Sequence, residues 1–168
     1  MTASGFAPAV SEEQAWDIVR AKAPGLRSGP ATLRHHPFSG FVHRSLRPIP
    51  GRRHEDRVHT LVDRLTGSAF ITAPWPQLEP VDLCTAESQV SDPSWNTISF
   101  EEARHRSTRI VRTATIRRAP LASRMDIEEV EYHELLWKPN WLLDGALGGR
   151  QLRILVDALG GGYYVVGS

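Results

Sequence analysis

Leu61-Val62-Asp63-Arg64-Leu65-Thr66-Gly67 and Leu155-Val156-Asp157-Ala158-Leu159-Gly160-Gly161 share the pattern Leu-Val-Asp-x-Leu-x-Gly, and their repetition decides how the chain is read. In each copy, strand-forming residues run into an aspartate able to cap its own turn, and a glycine follows where the chain reverses. Phe70-Ile71-Thr72 and Tyr164-Val165-Val166 then supply β-prone return strands. Gly51 and Gly145 stand at the same distance ahead of the two motifs.

Each motif has a helix start upstream. Ser11-Glu12-Glu13-Gln14-Ala15 opens one and Ser99-Phe100-Glu101-Glu102-Ala103 the other. A serine N-cap with acidic residues in the first turn suits the orphan N–H groups and the positive end of a helix. Glu102, three residues after Ser99, completes a capping-box pattern. Ala15, Trp16, Ile18, Val19 and Ala23 form an apolar stripe that Pro24-Gly25 ends. The second helix is expected to run to about Thr113.

The period then shortens. Phe41, Val42, Leu46 and Ile49 predict one strand, and Val58, Leu61 and Val62 the next. In the second half, 127–137 predicts a long strand that continues over 141–143 after a kink at Pro139. The expected fold class is α+β: two repeated units, each a helix packed on an antiparallel sheet of three to four strands. Their bounds are 1–73 and 99–168. Between them, 74–98 is an acidic connector with Glu79, Asp82, Glu87 and Asp92 and no basic group. Pro74, Pro76, Pro80 and Pro93 keep it extended, and Trp75 and Trp95 pin it to the body.

Composition bounds the function. The chain has 168 residues, 40% of them hydrophobic and 23% charged, a soluble globular profile with enough apolar mass for a core. No apolar run approaches the roughly 18 residues of a membrane span. Cys84 is the lone cysteine, which excludes an internal disulfide and a cysteine-based zinc site. A net charge of +1 provides no general attraction to nucleic acid or to an anionic membrane. Lys22 and Lys138 are the only lysines among the basic residues, a bias expected of a GC-rich bacterial genome. Met1 to Val10 carries no basic residue followed by an apolar stretch, so a cytoplasmic protein is expected.

The capped helices at 11–15 and 99–103, with Val62-Asp63-Arg64-Leu65-Thr66-Gly67 and Val156-Asp157-Ala158-Leu159-Gly160-Gly161 at the hairpins, resemble tandem PepSY-like domains. The resemblance covers both halves but not 74–98. It implies a small, non-enzymatic α+β fold associated with the inhibition or regulation of proteases and with cell-envelope proteins.

Candidate chemistry gathers in three places. The stretch 43–57 holds Arg44, Arg47, Arg52, Arg53 and Arg57 around Pro48, Pro50 and Gly51, which predicts an exposed arginine loop for a carboxylate, a phosphate or an acidic partner. Trp137 and Trp141, four apart on one strand face, suit a protein interface. In the alignment of the two motifs, Trp137 falls opposite His43 and Trp141 opposite Arg47. His35, His43 and His59 are the polar groups of an alternative pocket between helix and sheet, for a small-molecule enzyme or ligand carrier. The same histidines raise a metal-binding accessory role, although no recognised ligand spacing occurs and the arginines around them oppose a cation. The basic run from Arg104 to Arg118 reads as a solvated helix face. No phosphate loop, nucleophile elbow or zinc-protease helix is present, and Cys84 among acidic neighbours is a poor nucleophile. The expectation is a non-catalytic, regulatory binding protein for a protein or peptide partner. It would use a sheet surface and the arginine loop, without cofactor, metal, nucleic acid or membrane, and a homodimer remains open.

Overall fold

The computed structural model describes residues 2–49, 52–82, 96–118 and 126–167. Eight strands and two helices follow in chain order: β1 (Thr2–Phe6), α1 (Glu12–Lys22), β2 (Arg27–Ile49), β3 (Arg52–Asp63), β4 (Ala69–Thr72), β5 (Leu78–Asp82), α2 (Phe100–Arg118), β6 (Asp126–Leu147), β7 (Arg150–Asp157) and β8 (Tyr163–Gly167). They form one sheet of order β4-β3-β2-β6-β1-β5, with β7 paired to β6 and β8 to β7.

Described residues of 1–36, 77–91 and 137–168 form one compact unit, and those of 37–76 and 92–136 form another. These are not the two expected units, each with a helix on its own sheet. Most described residues lie in strands of a single large sheet, and the helices are exchanged. In the first unit, Ala15, Trp16 and Val19 of α1 pack on Leu143, Ile154 and Val156 from the other end of the chain. In the second, Ala103 of α2 packs on Phe41 and Val62. The physical reason lies in β2. It is one unbroken strand from Arg27 onward, so no turn lets α1 fold back on the hairpin that follows it in sequence. The expected boundaries at 73 and 99 therefore do not coincide with the compact units.

The connector also differs from its expectation. Its residues 78–82 form β5, paired antiparallel with β1, a strand the sequence pattern did not reveal. Trp95 and Cys84 lie outside the described residues. Pro139 lies within β6, which continues unbroken from Asp126 to Leu147.

Local chemistry explains the helix starts and the turns. Ser11 accepts from the Gln14 N–H at 3.2 Å while the Gln14 side chain accepts from the Ser11 N–H at 2.8 Å, a complete capping box. Ser99 accepts from the Glu102 N–H at 3.1 Å. Asp63 Oδ1 accepts from the Leu65 and Thr66 N–H groups at 2.7 and 3.1 Å. Asp157 Oδ1 does the same for Leu159 and Gly160 at 2.8 and 3.3 Å. Gly67 and Gly161 both take φ of 73°, in the left-handed region that glycine enters without steric cost. Burial alone would raise the Asp157 carboxyl. The Lys138 ammonium and the two turn N–H groups outweigh that and hold it below the usual carboxylate value.

Candidate functional site

The face of the second unit beneath α2 holds a polar chain in its core. The β2–β3 register sets Phe41 opposite Thr60 and His43 opposite Val58, and strand alternation turns Phe41, His43 and Thr60 to the same side. Ser107 comes down from α2 between them. His43 Nε2 lies 2.7 Å from Ser107 Oγ, and Ser107 Oγ lies 2.6 Å from Thr60 Oγ1. Thr60 Oγ1 also lies 3.2 Å from the Phe41 carbonyl, and the hydroxyl protons can run along this chain in either direction, set by the His43 tautomer. All three side chains are buried, and burial holds the His43 imidazole below its ordinary pKa. The trio is therefore a satisfied polar core.

His59 faces the opposite side, one register step from His43. Trp75 meets it edge-on with ring centroids 5.3 Å apart and meets His133 at 5.8 Å. Trp75 donates from Nε1 to Thr72 Oγ1 at 3.1 Å. It lies over Gly40, where an added Cβ would come within 2.7 Å of the indole. Burial lowers the His59 pKa, with Arg57 acting the same way and Glu131 opposing. His43 and His59 thus point to opposite faces, so the register does not bring these two members of the expected histidine pocket together, and His35 belongs to the other unit. Among the described residues no group of three or more histidine, cysteine, aspartate or glutamate side chains could hold a metal ion.

The expected arginine loop is largely strand. Both arms of the β2–β3 hairpin are paired from Phe38↔Asp63 to Ile49↔Arg52, and Arg44 stands directly across from Arg57. Arg44 is tied to the Glu128 carboxylate, a hydrogen bond that raises its pKa. Arg57 lies 3.9 Å from Glu55. Arg47, Arg52 and Arg53 occupy strand positions whose side chains lie outside the description. Trp137 is fully buried and offers a partner no surface. Trp141 packs beside the α1 cluster and donates from Nε1 to the Val10 carbonyl at 2.8 Å. Both tryptophans were expected at an interface because alternation alone does not say which strand face is covered. Strand pairing also shifts their equivalence. Val62 pairs with Ser39 and Val156 with Trp141, so Trp141 corresponds to Ser39, and Gly145 rather than Trp137 corresponds to His43.

A groove lies between α2 and β4. Among the described residues β4 pairs only with β3, which leaves its outer edge without a described strand beside it. Two hollows follow one another along it. The first, of about 290 Å³, is lined by Gly67, Ala69, Arg106, Arg109, Ile110 and Thr113. The second, of about 30 Å³, brings Ile71 of β4 together with Ala114, Thr115 and Arg118 of α2 and with Ser45 and Asp56 of the hairpin. Ala69 and Ile71, two apart, share the helix-facing side of β4. Arg106, Arg109, Ile110 and Thr113 fall at i, i+3, i+4 and i+7 on one face of α2. Arg106 is fixed by Glu102 at 2.8 Å and by the Gly67 carbonyl at 2.9 Å. Arg109 and Arg118 are exposed and make no ion pair among the described residues. Ser45 Oγ is buried and has no hydrogen-bond partner among the described residues.

The first unit has an open edge of its own. Among the described strands β8 pairs only with β7, and Tyr163, Tyr164, Val165 and Val166 are all exposed. The hollow beside it is lined by Asp144, Gln151, Leu152, Arg153, Val166 and Gly167, and its charges pair internally through Arg153 and Asp144 at 2.9 Å.

The residues of the α2–β4 groove were not singled out as a site by sequence reasoning. The available signal was the basic run after Ala103, which contains no acid from 103 to 118. Its spacing suited a solvated face equally well, and only the neighbouring edge strand distinguishes the two. No helix among the described residues is long and apolar enough to cross a membrane. Comparison with family models, curated proteins and solved structures finds no match, and the resemblance to PepSY-like domains rests on the short motifs alone.

Proposed function

We propose that the protein is a non-catalytic binding module that recognises an extended segment of a protein or peptide partner. The observation that carries this reading is the open edge of β4 beside the two hollows under α2. An extended peptide adds to such an edge through main-chain hydrogen bonds, while pockets for alternate side chains confer specificity. The Ser107–His43 pair supports a non-catalytic role, because both side chains are fully buried and inaccessible to a substrate. The expected partner surface is retained in kind, but its place moves from the arginine hairpin to the helix-flanked edge. Selection from a random peptide library, followed by hydrogen–deuterium exchange on the selected complex, tests it. Slowed exchange of the outward-facing amides of Ala69 and Ile71 and protection of the α2 face are expected. Protection confined to other strands, or failure to select any extended peptide, overturns the reading.

A further inference from the structure

We infer that the segment docking along β4 is acidic, with a carboxylate seated at the Gly67–Thr113 hollow and a small polar residue two positions away at the Ser45–Arg118 hollow. This rests on the reading of the groove as a strand-docking site and adds the chemistry of its occupant. The charge argument is local. The larger hollow has two arginines, Arg106 and Arg109, and no acidic side chain in its lining. Arg106 is already held by Glu102 and Gly67, whereas Arg109 is exposed and makes no ion pair among the described residues, so it is the arginine with donors to spare. Guanidinium donors match a carboxylate in geometry as well as charge. The Thr113 hydroxyl beside it donates to the Arg109 carbonyl at 2.9 Å and keeps lone pairs but no second proton, so it adds no further donor.

The smaller hollow has different demands. Its lining includes the Asp56 carboxylate as well as Arg118, so an incoming carboxylate there meets a like charge. Its volume suits a methyl or a hydroxyl, and the buried Ser45 Oγ lacks a partner among the described residues. Leaving such a group unsatisfied is costly, and a small donor or acceptor on the incoming strand relieves that cost. Ala69 and Ile71 mark the two hollows on alternate β4 positions, so the residues that fill them on an added strand are also two apart. The intervening residues face the other side of β4, where Phe70 is 48% exposed, and are apolar.

Fluorescence anisotropy with labelled Val-Ser-Val-Glu-Val-Ser-Val tests this, since serine on both sides of the glutamate serves either strand direction. Replacing the peptide glutamate by glutamine is expected to weaken binding on the order of tenfold, the loss of one charge-assisted hydrogen bond. Arg109→Glu should shift the preference to the lysine version of the peptide. Among the described residues Arg109 makes no ion pair, so the variant is expected to keep its structure, which circular dichroism checks. If the glutamate, glutamine and lysine peptides bind alike, the acidic occupant is wrong while the groove stands. If a version N-methylated at every residue binds as well as the parent, or none of the peptides binds, strand docking itself is overturned.

Discussion

The turn after β3 and the turn after β7 make the same hydrogen bonds, yet the helices over them bring opposite chemistry. Counted from their serine caps, Ile18 of α1 and Arg106 of α2 are the same position. A Cβ on Gly161 would lie 3.0 Å from Ile18 Cδ1, and Gly67 lies under the Arg106 guanidinium. The next turn of each helix places Ala21 where α2 has Arg109. The cores differ in the same way. Ile154 and Val19 share an apolar cluster in the first unit, with Gly145 at the equivalent of His43, where the second has Thr60, His43 and Ser107. One hairpin design thus serves a dry core in one unit and a hydrogen-bonded core with a cationic helix in the other. A shared turn motif says where the chain reverses and leaves open what the flanking surface binds.

Three changes probe this comparison. Val19→Ser imposes the α2 residue on the apolar unit, where no histidine or threonine awaits it. Loss of apolar burial and an unsatisfied hydroxyl together should cost about 3 kcal/mol, read from urea unfolding. An unchanged midpoint would mean that the two cores are interchangeable. Ser107→Ala makes the reverse break. It removes the hydroxyl that partners both His43 Nε2 and Thr60 Oγ1, for an expected loss of about 2 kcal/mol in the same assay.

The smallest effect is a pH dependence confined to the polar unit. His43 is held neutral by burial, so its folded pKa lies below its unfolded value of about 6.5. The unfolded chain therefore takes up the proton first. Stability is level above that pH, falls as the pH drops below it, and levels again below the folded value. His59 contributes a slope of the same sign. His43→Gln keeps a donor toward Ser107 and removes one titration, so its unfolding midpoint should vary less between neutral and mildly acidic pH than that of the parent. An equal slope would remove His43 from the account.

Much of the local structure was legible. The serine caps at 11 and 99 start helices, and Asp63, Gly67, Asp157 and Gly161 build the two turns, because these features depend on residues within four positions of one another. Strand continuity was not legible. Gly29, Pro30, Pro37 and Gly40 punctuate β2 as breakers would, yet the strand passes through all four, because pairing with neighbouring strands outweighs local preference. The candidate site was least legible. His43 and His59 are both histidines in strand-like surroundings, and only the β2–β3 register sends them to opposite faces.

By itself, then, the sequence determined where helices begin, where hairpins turn and which residues could be cationic. The tertiary structure decided which helix covers which hairpin, that His43 and Ser107 are core rather than chemistry, and that Arg109 stands beside an open strand edge. The physical reason is range. Caps and turns are closed by hydrogen bonds over three to six residues. Helix placement and strand register are set by burial between residues such as Val19 and Ile154, which no local pattern connects.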